Sequence, residues 1–317
     1  MSIRVALIYD SVFPVKGYGG TERLVWWLAK GLAELDHEPI IVGLSGSSCP
    51  FAKVVEAERP FPPKQLPPAD FYHYFNTPPE EPSVPHLITI GGNAKAGEKF
   101  LPNTVFISRN HAERHGGKVF VYNGVDPDDC LFKDQKKSHL AFLAKASWRV
   151  KNVKGAVKVA RRSGNPLEIM GGSRVLFKNW RGVHWVGEIG GLEKLQILSS
   201  AKGLLFPVLW NEPFGLAVVE SMLCGTPVLG TPFGSLPELV GKPAGKICHS
   251  YSEMIEACQH LESYRPAEVR DWAIENFSHL KMAKSYLDLY FKVLNGEKLN
   301  PFPIVVQKDQ GGILKFS

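Results

Sequence analysis

Short apolar runs, each ending at a glycine-rich turn that leads into a helix pattern, recur along this chain, and the alternation is what most restricts its fold. Residues 3–9 form the first run, rich in β-branched and aliphatic side chains, as a strand buried on both faces of a parallel sheet requires. The loop Lys16-Gly17-Tyr18-Gly19-Gly20 follows, and Thr21 is placed to cap a helix over residues 22–35. Leu24, Leu28, Leu32 and Leu35 share one face of that helix. Residues 39–44 give a second strand, completing the strand–helix–strand unit of a parallel sheet.

The rest of the first half reads less regularly. Residues 59–85 are dense in proline and are expected to be irregular, while 86–90, 104–108 and 118–122 read as strands. Asn123-Gly124 makes a turn, and the polar residues 134–138 suit an interdomain linker. Beyond it the pattern restarts. Strands are expected at 139–144, 167–170, 183–186, 203–207 and 227–230, and helices at 153–163, 192–201 and 216–224. A glycine-rich loop at 231–235 precedes the stretch 236–240, and further helices are expected at 251–264, 266–277 and 281–294. The fold class is therefore α/β, with two Rossmann-like parallel-sheet domains at 1–134 and 135–270 facing across a cleft. Ligands of such sheets bind beyond the carboxyl ends of the strands.

Composition narrows the class further. The chain has 317 residues, of which 44% are hydrophobic and 21% charged, enough to build two cores. Lys and Arg exceed Asp and Glu by 37 − 31 = 6, with basic and acidic residues interspersed, which excludes a nucleic-acid-binding stripe. The five cysteines lie far apart without a C-x-x-C pair, so neither a disulfide framework nor a zinc site is expected. The N-terminus runs directly into a strand, and no apolar run approaches the ~20 residues of a membrane span. A cytoplasmic location follows as an expectation. Lys281, Lys284 and Lys292 flank an apolar stripe of Tyr286, Leu287, Tyr290 and Val293. That stripe suits core packing first, and peripheral contact with the inner face of a membrane second.

The chemistry concentrates in Trp210-Asn211-Glu212-Pro213-Phe214-Gly215-Leu216, which runs into a helix containing Glu220. Pro213 and Gly215 belong to a turn, so Glu212 sits before the helix and Glu220 about a turn and a half inside it. Amides at a helix start attract phosphate. Carboxylates that accept hydroxyl hydrogen bonds beside amides that hold phosphate suit a sugar nucleotide. Lys145, Arg149, Lys151 and Lys154 crowd the loop after the first strand of the second half, where cations would stabilise a departing diphosphate.

Other chemistries fit poorly. Gly17-x-Gly19-Gly20 lacks the third glycine and the ribose-binding acid of a dinucleotide fingerprint. The P-loop and the G-x-S-x-G elbow are absent from the sequence, and Asp126-Pro127-Asp128 reads as a turn rather than a metal site. No metal and no cofactor are expected.

These residues resemble the family 4 retaining glycosyltransferases of GT-B fold. Glu212 to Glu220 matches that family's E-x7-E motif, and Cys224-Gly225-Thr226-Pro227-Val228 extends it. Gly19-Gly20-Thr21-Glu22 resembles the N-terminal G-G-x-E loop, and Tyr122-Asn123-Gly124-Val125-Asp126 resembles the P-N-G-V-D before the linker. Gly234-Ser235-x-Pro237-Glu238 resembles the G-x-x-P-E segment, and Val150-Lys151-Asn152 the lysine loop of the sucrose synthase branch.

The resemblance implies metal-independent transfer, with retention, of a hexose or N-acetylhexosamine from a UDP- or GDP-linked sugar to a glycan or lipid-linked acceptor. It implies that Glu220 holds the ribose hydroxyls and Glu212 those of the donor sugar. Phe214, Gly215 and Leu216 would contact sugar and phosphate through their amides. Lys145 and Lys151 would form the basic pair, with Arg149 and Lys154 as alternative partners, and Gly19 and Gly20 would close over the diphosphate. Residues 271–317 would return to the first domain. Lys145 stands where the family usually has Arg. Gly91 stands where many members carry a His near the donor, with His73 and His111 as candidates to replace it. A non-catalytic sugar-nucleotide-binding protein and a sugar-nucleotide epimerase are the alternative readings.

Overall fold

Two parallel sheets with the same strand order organise the chain. The computed structural model describes all residues except 1, 16–18, 60, 62–65, 79 and 173–180. Contacts divide it into one unit of Met1–Asp126 with Phe277–Gln310, and a second of Pro127–Asn276 with Gly311–Ser317.

In the first unit the elements are β1 (Arg4–Ile8), α1 (Gly20–Glu34), β2 (Glu38–Gly43), β3 (Lys53–Glu56), β4 (Phe71–Tyr74), β5 (His86–Ile90), β6 (Lys99–Phe100), β7 (Thr104–Phe106) and α2 (Arg109–His115). Among the described residues the sheet order is β3-β2-β1-β4-β5-β7, all parallel. The order reverses between β1 and β4, the switch point of a Rossmann sheet. β4 lies inside the proline-dense stretch expected to be irregular. Its four residues, Phe-Tyr-His-Tyr, are all buried, and aromatic side chains suit a strand covered on both faces. The expected strand at 118–122 is reduced to a single bridge between Phe106 and Phe120. Thr21 does not cap α1. The N-cap is Gly19, with no side-chain hydrogen bond, and Thr21 falls within the helix.

The second unit runs β8 (Leu140–Leu143), α3 (Val153–Arg162), β9 (Leu167–Met170), β10 (Val183–Gly187), α4 (Gly191–Ser200), β11 (Gly203–Phe206), α5 (Leu216–Leu223), β12 (Val228–Gly230), α6 (Leu236–Leu239), β13 (Gly245–Ile247), α7 (Tyr251–Ala257) and α8 (Pro266–Phe277). Its order, β10-β9-β8-β11-β12-β13, reverses between β8 and β11. The core formed by Leu140, Phe142, Ile169, Leu205 and Leu229 from the strands and Val157 and Met254 from the helices fixes this sheet against α3 and α7.

The last helix, α9 (His279–Leu294), and β14 (Ile304–Val305), which pairs antiparallel with β6, belong to the first unit. The apolar stripe of α9 is core. Tyr290 Oη lies 2.7 Å from His73 Nδ1, and Tyr286 Oη lies 2.9 Å from Thr89 Oγ1. Tyr286 and Tyr290 are fully buried, so this stripe is not available to a membrane surface. No described helix is long and apolar enough to cross a membrane.

The boundary expected at 134/135 falls at Asp126/Pro127, and the return expected from 271 begins at Phe277. Side chains decide this, not local polarity. Arg270 donates to the carbonyl of Pro127, and Lys136 Nζ donates to the carbonyls of Ser199 (2.8 Å) and Cys224 (2.9 Å). These are carbonyls at the ends of α4 and α5, where a cation is favoured. Residues 127–136 are thereby tied to the second unit.

Candidate functional site

The switch point of the second sheet brings together the two loops that carry the expected charges. One follows β8 and holds Lys145, Arg149 and Lys151; the other follows β11 and holds Trp210 and Glu212. Parallel strands deliver both loops to the same edge, which is where ligands of such sheets sit.

Lys151 Nζ donates to Glu212 Oε2 at 2.7 Å, and the indole Nε1 of Trp210 donates to the same oxygen at 2.7 Å. Lys151 and Glu212 retain only 9% and 6% of their surface. The ammonium also lies 4.8 Å from the centroid of the Trp210 ring and 5.6 Å from that of Phe206, so it is held by charge and by aromatic faces together. Burying either ion alone would be costly, and their mutual neutralisation offsets much of that cost.

The backbone around the pair is fixed by short-range bonds. The amide of Leu209 donates to the carbonyl of Val150 at 2.7 Å, tying one loop to the other. Asn152, next to Lys151, caps α3 by accepting from the Gly155 amide, and its Nδ2 donates to the Pro207 carbonyl at 2.7 Å and to Tyr251 Oη at 2.9 Å. On the other side, Ser235 donates its amide to the Glu212 carbonyl (3.0 Å) and its hydroxyl to the Phe214 carbonyl (2.5 Å). Gly234, at φ +67°, lies so close that a Cβ there would stand 2.2 Å from the Glu212 nitrogen. Only glycine combines that backbone angle with that approach.

Gly215 is the N-cap of α5 with φ 103°, a left-handed conformation that turns the chain from Glu212 into the helix. The Val218 amide donates to the Gly215 carbonyl at 2.9 Å, so the donors that the start of α5 turns outward are those of Leu216 and Ala217. Phe214 is buried and anchors this turn. About one turn into α5, Glu220 Oε1 accepts from Lys194 Nζ of α4 at 2.6 Å, and both residues are buried. Lys194 is absent from the sequence-based site. The available signal was its position four residues before Leu198, on the inward face of its helix.

The remaining expected residues take less central places. Lys145 and Lys154 are exposed, the former with its ammonium 5.2 Å from the Trp148 ring, and Arg149 is exposed as well. Trp148 is 45% exposed and meets Trp210 edge to face. In the first unit, Gly19 and Gly20 begin α1, and Lys16, Gly17 and Tyr18 of the same loop lie outside the described residues. Asp126 is buried against Lys30, with His279 Nδ1 at 3.7 Å.

Neither histidine proposed to replace the family's His is exposed. His73 bonds Tyr290 Oη of α9 and Thr89 Oγ1 of β5, and burial pushes its pKa well down. His111 Nε2 donates to the Gly92 carbonyl at 2.9 Å while its Nδ1 accepts from the Ile107 amide. Burial, reinforced by the nearby His115, pushes the pKa of His111 down to about 3.

Comparison with known proteins bears on this geometry. Residues 137–263 match the family model Glycosyl transferases group 1. Alpha-maltose-1-phosphate synthase of Mycobacterium tuberculosis is 28% identical over 228 residues, 61% of this chain and 58% of that protein. The chain spans between 30% and 58% of the length of the curated relatives it matches. Among solved structures, AviGT4, a glycosyltransferase involved in avilamycin A biosynthesis, is similar over 93% of this chain and 99% of that one, with a TM-score of 0.78 and 23% identity. Anabaena HepE in complex with UDP-glucose is similar over 92% of this chain and all of that one, with a TM-score of 0.62 and 14% identity. The chain thus has the GT-B fold, and its second unit matches Glycosyl transferases group 1 across the stretch that holds both ion pairs.

Proposed function

We propose that this protein is a retaining glycosyltransferase of family 4. On this reading it moves a hexose or N-acetylhexosamine from a UDP- or GDP-linked donor to a glycan or lipid-linked acceptor, without a metal. One observation carries the reading: Glu212 and Lys151 meet at the switch point of the second sheet, each on a loop that follows one of its two central strands. A sugar's hydroxyls are donors that suit Glu212, and a diphosphate's oxygens are acceptors that suit Lys151. The two halves of the ion pair therefore match the two halves of a sugar diphosphate.

The roles follow from that match. As the bond between the anomeric carbon and the diphosphate oxygen breaks, negative charge grows on that oxygen, and Lys151 with Lys145, Arg149 or Lys154 stabilises it. Amides of Phe214, Gly215 and Leu216 at the start of α5 add donors to the phosphates. Glu220 accepts from the ribose hydroxyls, and the hydrogen bond from Lys194 orients it. Support comes from the group 1 family match and from the UDP-glucose held by the structurally similar HepE.

The test is a melting-shift panel of UDP, GDP, ADP and their sugars in the presence of a chelator, followed by donor-hydrolysis and transfer assays. A shift of several degrees by one nucleotide class, with sugar release or transfer, is the expected outcome. No shift with any of them would end the proposal.

A further inference from the structure

The segment Gly311–Ser317 returns to the second unit and lies against the two loops that bring Lys151 and Glu212 together. The amide of Leu314 donates to the carbonyl of Leu209 at 2.7 Å, and the amide of Leu209 donates to the carbonyl of Val150 at 2.7 Å. Two hydrogen bonds thus link three residues in a ladder, and two of those residues are close in sequence to the ion pair. Val150 precedes Lys151, and Leu209 precedes Trp210, whose indole bonds Glu212.

The side chains repeat the arrangement. Leu314 and Phe316 are partly buried while Lys315 and Ser317 are exposed, the alternation of an extended strand lying on a surface. The Phe316 ring meets Tyr251 edge to face at 4.8 Å and Phe233 at 6.3 Å. Each neighbour leads to one partner of the pair. Tyr251 Oη accepts from Asn152, the residue after Lys151. Phe233 precedes Gly234 and Ser235, which hold the Glu212 peptide. The segment is closed at its far end by the Tyr251 amide, which donates to the Ser317 carbonyl at 2.8 Å.

We infer that residues 314–317 are a strap that holds the Lys151 and Glu212 loops in register, with Phe316 as its positioning residue. The inference deepens the proposed function and rests on it for its effect on turnover, but the strap itself is testable without any donor. Glu220 and Lys194 make no bond to the strap, so it acts on the sugar-diphosphate end of the site and not on the ribose end. Misplacing a reacting constellation by about an ångström costs up to 100-fold in rate.

The experiment compares full-length wild type with Phe316→Ala, Phe316→Tyr and the outward-facing Lys315→Ala, assayed well below their melting temperatures. Hydrogen exchange of the protein alone should rise in residues 145–152 and 207–212 for Phe316→Ala, and stay at wild-type levels for Phe316→Tyr and Lys315→Ala. With the donor found active, Phe316→Ala should lower kcat by about tenfold with donor KM within about twofold, and Phe316→Tyr should restore kcat. Unchanged exchange in those loops overturns the strap. Raised exchange with wild-type kcat overturns its role in positioning. Raised exchange in a protein inert toward every donor supports the strap and rejects the donor reading instead. Should Phe316→Ala not fold, Phe316→Leu makes the same comparison.

Discussion

The Lys151 ammonium and the Glu212 carboxylate close on each other at 2.7 Å from positions 61 residues apart. Removing one partner leaves the other buried without its counter-charge. Lys151→Ala and Glu212→Ala should therefore each lower the unfolding free energy by about 3 kcal/mol. Lys151→Met combined with Glu212→Leu should recover at least half of that loss while remaining inactive. Urea denaturation measures each loss; wild type, the two alanine variants and the Lys151→Ala/Glu212→Ala double variant form a double-mutant cycle, in which purely additive losses would contradict a direct pairing.

The two glutamates should separate in ligand binding. Glu220→Gln is expected to weaken UDP or GDP binding about tenfold, because it replaces an ionised acceptor of ribose hydroxyls. Glu212→Gln should leave nucleotide binding near wild type and remove the additional affinity contributed by the sugar. Calorimetric titration with each nucleoside diphosphate and its sugar conjugate decides this, and identical profiles for the two variants would refute the division of roles.

Acid should destabilise the first unit through its buried histidines. His111 and His115 lie one turn apart on α2 and pin the loop after β5 between them. Besides the His111 bond to Gly92, His115 Nε2 accepts from the Ala94 amide at 3.0 Å. Burial is the main cause of the lowered pKa at both, and at His115 a hydrogen bond to the His111 carbonyl opposes it. The unfolded chain takes up a proton near the ordinary value of 6.5, whereas folded His111 resists protonation until about 3. Stability is thus fully present above about 6.5 and falls as pH drops toward 3, by up to about 1.4 kcal/mol per pH unit for one such group. Denaturation midpoints between pH 7 and 4 test this, with a shallower slope expected for His111→Gln.

Gly234→Ala should disturb Glu212 directly. The new Cβ meets the Glu212 backbone at 2.2 Å and occupies a left-handed conformation, together costing on the order of 2 kcal/mol. Turnover should fall further than stability, since the displaced peptide carries a site residue. A melting curve and a rate measurement on the same preparation check both, and wild-type activity would show that the loop relaxes freely.

The alternation of strands and helices was legible because apolar runs and glycine turns are local signals, and most elements fall within a few residues of their expected limits. β4 escaped notice because four consecutive buried aromatic and imidazole side chains between prolines show no alternation. Only its neighbours β1 and β5 reveal it as a central strand. Lys151 and Glu212 could be nominated from their places at strand ends, but their union could not. Lys194 illustrates the harder case, a lysine whose partner Glu220 lies 26 residues away on another helix. The domain boundary was misplaced for the same reason, since bonds from Arg270 and Lys136 assign residues 127–136 against their own polarity.

Neither unit is a continuous stretch of chain, and this sets the order in which the protein can mature. The first sheet reaches the end of β7 early in synthesis but lacks Tyr286 and Tyr290 until α9 is made, long after the second unit has begun to emerge. The second unit in turn waits for Leu314 and Phe316. Translation therefore delivers two half-built cores whose last pieces arrive together, and a fragment ending at Asn276 would inherit both omissions.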